Sequence, residues 1–206
     1  MAQSAAFWDR IAVRYANQPI ADEAAYEKKL EITRQYLRPD MEVLEIACGT
    51  GSTAILHAPF VKHIQAVDVS AKMLGIAQSK ADAAGIANIN FVHSSVDEFT
   101  AARESFDAIM GFSILHLLED RKAVINKVYD LLKPGGVFVS STMCLDGNMR
   151  WLKLIAPIGR MLRLIPLVRF FSADVLCAEL TDAGFTIDYQ WRPNQSKALF
   201  IVAKKP

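Results

Sequence analysis

The chain has 206 residues, 52% of them hydrophobic and 22% charged, which supplies the core of one domain and excludes wholesale disorder. Its 23 basic and 22 acidic side chains leave a formal charge of +1. That balance excludes a chain-wide electrostatic footprint for nucleic acid, a local basic patch aside. Three widely spaced cysteines, Cys48, Cys144 and Cys177, form no CxxC pair; they suit a reducing cytoplasm and build neither a disulfide framework nor a zinc cage. The opening MAQSAAFWDRIAVRYA lacks the apolar centre of a secretion signal. No apolar run reaches the ~18 residues of a membrane span. The expectation is a cytoplasmic globular protein.

Two amphipathic helices are expected over 4–17 and 22–37, the second stopped by Pro39-Asp40. Glu42-Val43-Leu44-Glu45-Ile46-Ala47 reads as a short buried strand running into a tight glycine turn, Cys48-Gly49-Thr50-Gly51-Ser52. A helix over 52–59 and a strand over 63–69 follow. The next helix, 71–84, is capped by Ser70 and closed at Gly85. Strand 89–93 leads into a short polar helix at 97–103, then strand 106–111. Helix 119–132 ends at Lys133-Pro134-Gly135-Gly136, before strand 137–142. Such alternation specifies a parallel sheet with right-handed crossovers.

The end of the chain breaks the alternation. Helix 172–183 stops at Gly184, and strands 185–192 and 197–204 are joined by Arg192-Pro193-Asn194-Gln195-Ser196. A short turn between adjacent strands makes an antiparallel hairpin. The expected fold class is α/β, with a seven-stranded sheet, mostly parallel with the last strand reversed, and helices on both faces.

The glycine turn is where this sequence points to a ligand. Without a Cβ, backbone and ligand approach closely, and Gly49-Thr50-Gly51-Ser52-Thr53-Ala54 fits the loose dinucleotide pattern GxGxx(G/A). Two acids sharpen the reading. Glu45 lies inside the preceding strand, where a carboxylate is costly without a partner. Asp68 ends the second strand, where a carboxylate can accept both hydroxyls of a ribose.

The blocks VLEIACGTG, AVDVSAKML, FDAIMGFSILHLL and LLKPGGVFVSST, in that order over residues 41–142, resemble the class I S-adenosylmethionine-dependent methyltransferases of small, single-domain type. The resemblance implies a Rossmann-like sheet, S-adenosylmethionine as cofactor and S-adenosylhomocysteine as product. It also implies roles. Glu45 sits near the cofactor's amino acid end, and Ala47, Cys48, Gly49 and Gly51 form the turn against which it lies. Asp68 takes the ribose diol, Val69 and Met73 flank the adenine, and Ser95-Val96 border its edge. Gly111 and Phe112 lie beside the sulfonium, and Tyr15 resembles an aromatic that closes over the methionine part. Ala47 stands where the family has its first glycine, and Ser95 where it often has an acid.

Each residue also has a plain structural reading. The glycines form a tight turn, Glu45 is a satisfied buried acid, Cys48 an apolar filler, Met73 helix core and Ser95 a loop cap. His116 is either a general base or substrate contact, or simply a polar residue opening the next helix. Gly51 is expected to accept no side chain, with cofactor and following helix on opposite sides and the fold indifferent to its replacement. The scattered histidines have no metal spacing, so no metal is expected.

Residues 147–173 carry five cations (Arg150, Lys153, Arg160, Arg163, Arg169), no acid and many large aliphatics, broken by Pro157 and Pro166. They read as a substrate-side lid over an apolar or anionic acceptor, as a surface touching lipid headgroups, or as core-covering helices with solvated faces. The layout is then 1–40 as helices over the cofactor, 41–142 as core, 143–172 as insertion and 173–206 as final helix and hairpin. The expected partner is an apolar small-molecule acceptor, with no nucleic acid, since 106–116 lacks an (N/D)PP(Y/F) motif. An NAD(P)-dependent oxidoreductase and a non-catalytic S-adenosylmethionine-binding protein are the rival readings.

Overall fold

The computed structural model describes residues 2–144, 167–194 and 198–206. Its seven strands are β1 (Glu42–Ile46), β2 (His63–Asp68), β3 (Ile89–His93), β4 (Phe106–Phe112), β5 (Leu132–Thr142), β6 (Thr186–Trp191) and β7 (Leu199–Lys204). They form one sheet in the order β3-β2-β1-β4-β5-β7-β6. Strands β1 to β5 are parallel, and β7 runs antiparallel to both β5 and β6. The reversed final strand is as expected, and it lies inside the sheet because its LFIVA run is buried throughout. Strand β6, alternating exposed and half-buried residues, takes the edge.

Among the described residues six α-helices accompany the sheet: α1 (Ala2–Ala16), α2 (Glu23–Arg34), α3 (Ser52–His57), α4 (Ala71–Ala83), α5 (Arg121–Leu131) and α6 (Ala173–Asp182). On one face Leu44, Ile109 and Phe138 pack with Val124 and Ile125 of α5 and Leu176 of α6. On the other, Val43, Ala66 and Val139 pack with Ile32 of α2, Ala54 of α3 and Leu74 of α4. Arg121 forks onto Glu179 at 2.6 and 2.7 Å and lies 3.7 Å over the Phe171 ring, which fastens α5 to α6.

Several boundaries differ from expectation, for local reasons. Helix α2 starts after Asp22, whose carboxylate accepts the Ala25 N–H, and it ends at Arg34. Pro59 shortens α3, and the chain tightens into one 3-10 turn over Ala58–Phe60. The polar helix at 97–103 does not form. The Ser95 hydroxyl accepts the Glu98 N–H, buried Phe99 pins the chain, and so short a polar stretch cannot offset helix nucleation. Asp120 caps α5 by accepting the Ala123 N–H. Lys133 to Gly136 belong to an irregular start of β5, held by paired backbone bonds of Gly135 and Gly136 to Lys205. In the proposed insertion, 145–166 lies outside the described residues, and so do 195–197 of the hairpin loop. Among the described residues no helix is long and apolar enough to cross a membrane.

Candidate cofactor site

From β1 the chain winds outward through β2 and β3, then crosses to β4 on the other side of β1. The order reverses between β1 and β4, and ligands of open α/β sheets bind at the carboxyl ends of the strands there. A cavity of about 570 Å³ opens at that point. Of the residues singled out above, Tyr15, Ala47, Gly49, Asp68, Val69, Met73, Ser95, Val96, Phe112 and His116 line it. Glu45, Cys48, Gly51 and Gly111 are not part of the lining.

The two glycines of the turn do different work. Gly49 (φ +56°) faces the cavity, and a Cβ placed there would stand 4.0 Å from Cε1 of Tyr15. Gly51 (φ +72°) faces inward, where a Cβ would come within 2.8 Å of the Ala77 Cβ and 3.2 Å of the Phe91 ring. This corrects the expectation for Gly51: its neighbours are α4 and β3, not ligand and following helix, and a side chain there strains the fold itself. Gly111 is likewise a packing position, since a Cβ would lie 3.2 Å from Cγ1 of Ile46. Ala47 and Ser113 hold left-handed backbone (φ 55° and 58°) at the ends of the two central strands, and both line the cavity. That conformation costs a residue with a Cβ about 1–2 kcal/mol, strain of the kind that clusters at ligand sites.

Asp68 is the best-anchored polar group of the site. Its Oδ2 accepts the Gly49 N–H and its Oδ1 the Ser70 N–H, both at 2.8 Å. Burial raises its pKa, and these backbone donors pull the other way. Each oxygen keeps further acceptor capacity, the geometry that a vicinal diol requires. Glu45 is 2% exposed, and Oε2 finds no partner in the protein. Burial first, then the Asp68 charge, pushes its pKa to about 8. A cationic group is what such an orphaned carboxyl lacks.

Burial also drives the Cys48 thiol far up, so it is a filler and no nucleophile. Met73 is buried and still contributes to the wall. Ser95 donates to Glu98 Oε2 at 3.0 Å while accepting the Glu98 N–H, so its hydroxyl is committed to the loop cap. His116 sits in a 3-10 turn (Leu115–Leu117) ahead of α5, not at its start. Burial lowers its pKa to about 4 and leaves Nδ1 without a partner, so the imidazole is neutral at pH 7.

Sequence reasoning missed Phe7 and Trp8, which join Tyr15 in covering the cavity from α1. The spacing of Trp8 and Tyr15, seven residues, places both on one helical face and was a readable signal; their rings meet edge to face at 6.2 Å. It also missed Ile114, Leu117 and Leu118 on the apolar side, and Asp97. Of the 147–173 segment, Leu167 and Val168 reach the wall, held by the Arg169 N–H donating to the His116 carbonyl at 2.8 Å.

An acid that ends β2 and braces a left-handed glycine turn at the switch point is the arrangement with which Rossmann-like sheets hold a nucleoside. The reversed β7 separates this sheet from the all-parallel order of dinucleotide dehydrogenases, which leaves the oxidoreductase reading with the glycine pattern alone. Residues 43–136 match the family described as "Methyltransferase domain", in keeping with the resemblance of the sequence blocks to the class I S-adenosylmethionine-dependent methyltransferases. It is 35% identical over 114 residues to the ubiquinone/menaquinone biosynthesis C-methyltransferase UbiE of Brucella anthropi, covering 53% of this chain and 41% of that protein. It is 29% identical over 103 residues to the ubiquinone biosynthesis O-methyltransferase of Dinoroseobacter shibae, covering 50% and 41%. The chain thus matches about two fifths of the length of these curated relatives. The crystal structure of YcgJ from Bacillus subtilis superposes with a TM-score of 0.72 at 18% identity, over 87% of this chain and 98% of that one; at that identity the likeness is one of fold.

Proposed function

We propose that the protein transfers a methyl group from S-adenosylmethionine to an apolar small-molecule acceptor. The observation that carries this reading is the Asp68 carboxylate, fixed by two backbone N–H groups at the switch point and lining the cavity. Asp68 would hold the ribose, Val69 and Met73 the adenine, and the bare face of Gly49 the methionine part. The partnerless Glu45 oxygen suits the cofactor's ammonium. When bound, the cofactor supplies a methyl group already activated on sulfur. The remaining task of the chain is alignment and exclusion of water, for which Trp8, Tyr15 and Phe112 are suited. Neutral His116 can hydrogen-bond an acceptor but is a weak base at neutral pH.

Ile114, Leu117, Leu118, Leu167 and Val168 make the far wall apolar, which favours an acceptor with a hydrocarbon body. The two relatives differ in the atom named, carbon in one and oxygen in the other, so methyl transfer in ubiquinone biosynthesis is the element their names share. Free, well-separated cysteines support a reducing, cytoplasmic setting. Calorimetry with S-adenosylhomocysteine, followed by a mass-shift screen of acceptors with labelled cofactor, tests the reading. Binding with turnover supports it, binding without turnover on any acceptor favours the non-catalytic binder, and no binding removes both.

A further inference from the structure

Helix α1 forms one wall of the cavity through Phe7, Trp8 and Tyr15, so any ligand that fills the cavity is covered by it. A helix of 15 residues is marginal alone and needs tertiary attachment. Part of that attachment is polar and specific. Oδ1 of Asp9 accepts the Ser70 hydroxyl at 2.6 Å and the Lys72 N–H at 3.1 Å, both at the start of α4. Ser70 is fully buried and fully used: its hydroxyl accepts the Met73 N–H at 3.1 Å, and its backbone N–H donates to Oδ1 of Asp68 at 2.8 Å. One serine therefore touches both the acid on the covering helix and the acid facing the ribose position. Its hydroxyl hydrogen holds the Asp9 carboxyl below the usual carboxylate range, so the contact is charge-assisted at neutral pH.

We propose that Asp9 is a positioning residue for the cofactor: through Ser70 it latches α1 over the occupied cavity, so that ribose capture at Asp68 and closure of the helix reinforce each other. The proposal rests on the cavity being the S-adenosylmethionine site. Reciprocity follows from linkage, because whatever factor the closed latch adds to ligand affinity, the ligand adds to latch closure. The latch acts after encounter, so it governs release of the ligand more than its capture.

The test uses the full chain with S-adenosylhomocysteine as probe, comparing the native protein with Asp9→Ala and Asp9→Asn. Asp9→Ala should weaken affinity about 10- to 100-fold, almost wholly through faster release in stopped-flow fluorescence. Asp9→Asn keeps an acceptor oxygen and should fall between native and Ala. A plain packing role predicts no such graded rescue and no split between the two rate constants. Without ligand, hydrogen exchange in 2–16 should speed at least tenfold in Asp9→Ala, with β1 and β2 keeping their protection. Unchanged release in Asp9→Ala overturns the proposal, as does loss of protection spread evenly over the sheet. Failure of the native chain to bind the probe overturns the cofactor reading, and the ligand-free exchange still judges the latch by itself.

Discussion

The backbone N–H of Gly49 donates to Oδ2 of Asp68 at 2.8 Å, joining the turn after β1 to the acid that ends β2. The bond makes turn and carboxylate one rigid object, because Ser70 holds the other oxygen at the same distance. Moving either partner therefore misplaces both, and the orientation of the carboxylate is set before any ligand arrives.

Asp68→Asn removes the charge while keeping one acceptor oxygen for the turn. Hydrogen bonds to a charged acceptor contribute about 1.5–3 kcal/mol each, and ~1.4 kcal/mol is tenfold in affinity. S-adenosylhomocysteine should bind at least tenfold more weakly by calorimetry. Unchanged affinity would remove Asp68 from the site.

Gly51→Ala and Gly49→Ala should separate folding from binding. At Gly51 the new methyl must sit 2.8 Å from the Ala77 Cβ in left-handed backbone. Strain and overpacking together predict a loss of about 2–4 kcal/mol in chemical denaturation. At Gly49 the nearest atom would be 4.0 Å away. There the backbone term alone applies, roughly 1–2 kcal/mol, and the main effect should be lost ligand affinity.

Glu45 predicts a pH dependence of stability. Its pKa is about 8 in the fold and near 4.5 unfolded, so between those values the native state holds the extra proton. Stability from this group is complete below pH 4.5 and is lost as pH rises toward 8, at up to about 1.4 kcal/mol per pH unit. Glu45→Gln should remove that slope and make the protein the more stable of the two at pH 8. A denaturation series from pH 5 to 8 showing parallel curves would contradict it.

Arg121 and Glu179 form an ion pair with 12% and 7% side-chain exposure. Arg121→Met alone strands a buried carboxylate and should cost about 3–5 kcal/mol. Adding Glu179→Leu should recover most of the loss, which a double-mutant cycle on unfolding free energies would read.

Much of this protein is written locally. The β–α alternation, the glycine turn, Asp68 at the end of β2 and the Ser70 cap all rest on residues within a few positions of one another. Hydrophobic periodicity and cap chemistry act over that range. The final hairpin was legible for the same reason. Which of its strands enters the sheet was decided in the fold, where β7 is buried along its LFIVA run and β6 alternates exposed and half-buried residues. What only the tertiary structure decided joins distant segments. Gly51 is reserved for Ala77 and Phe91, which are 26 and 40 positions away, so its purpose is packing. The covering helix is held by Asp9 on Ser70, 61 positions on, and Arg121 finds Glu179 58 positions on. Nothing near Asp9 or Arg121 in the chain names these partners. They are chosen by which helices the folded sheet brings together, and a buried polar group is satisfied by whatever the packing sets beside it.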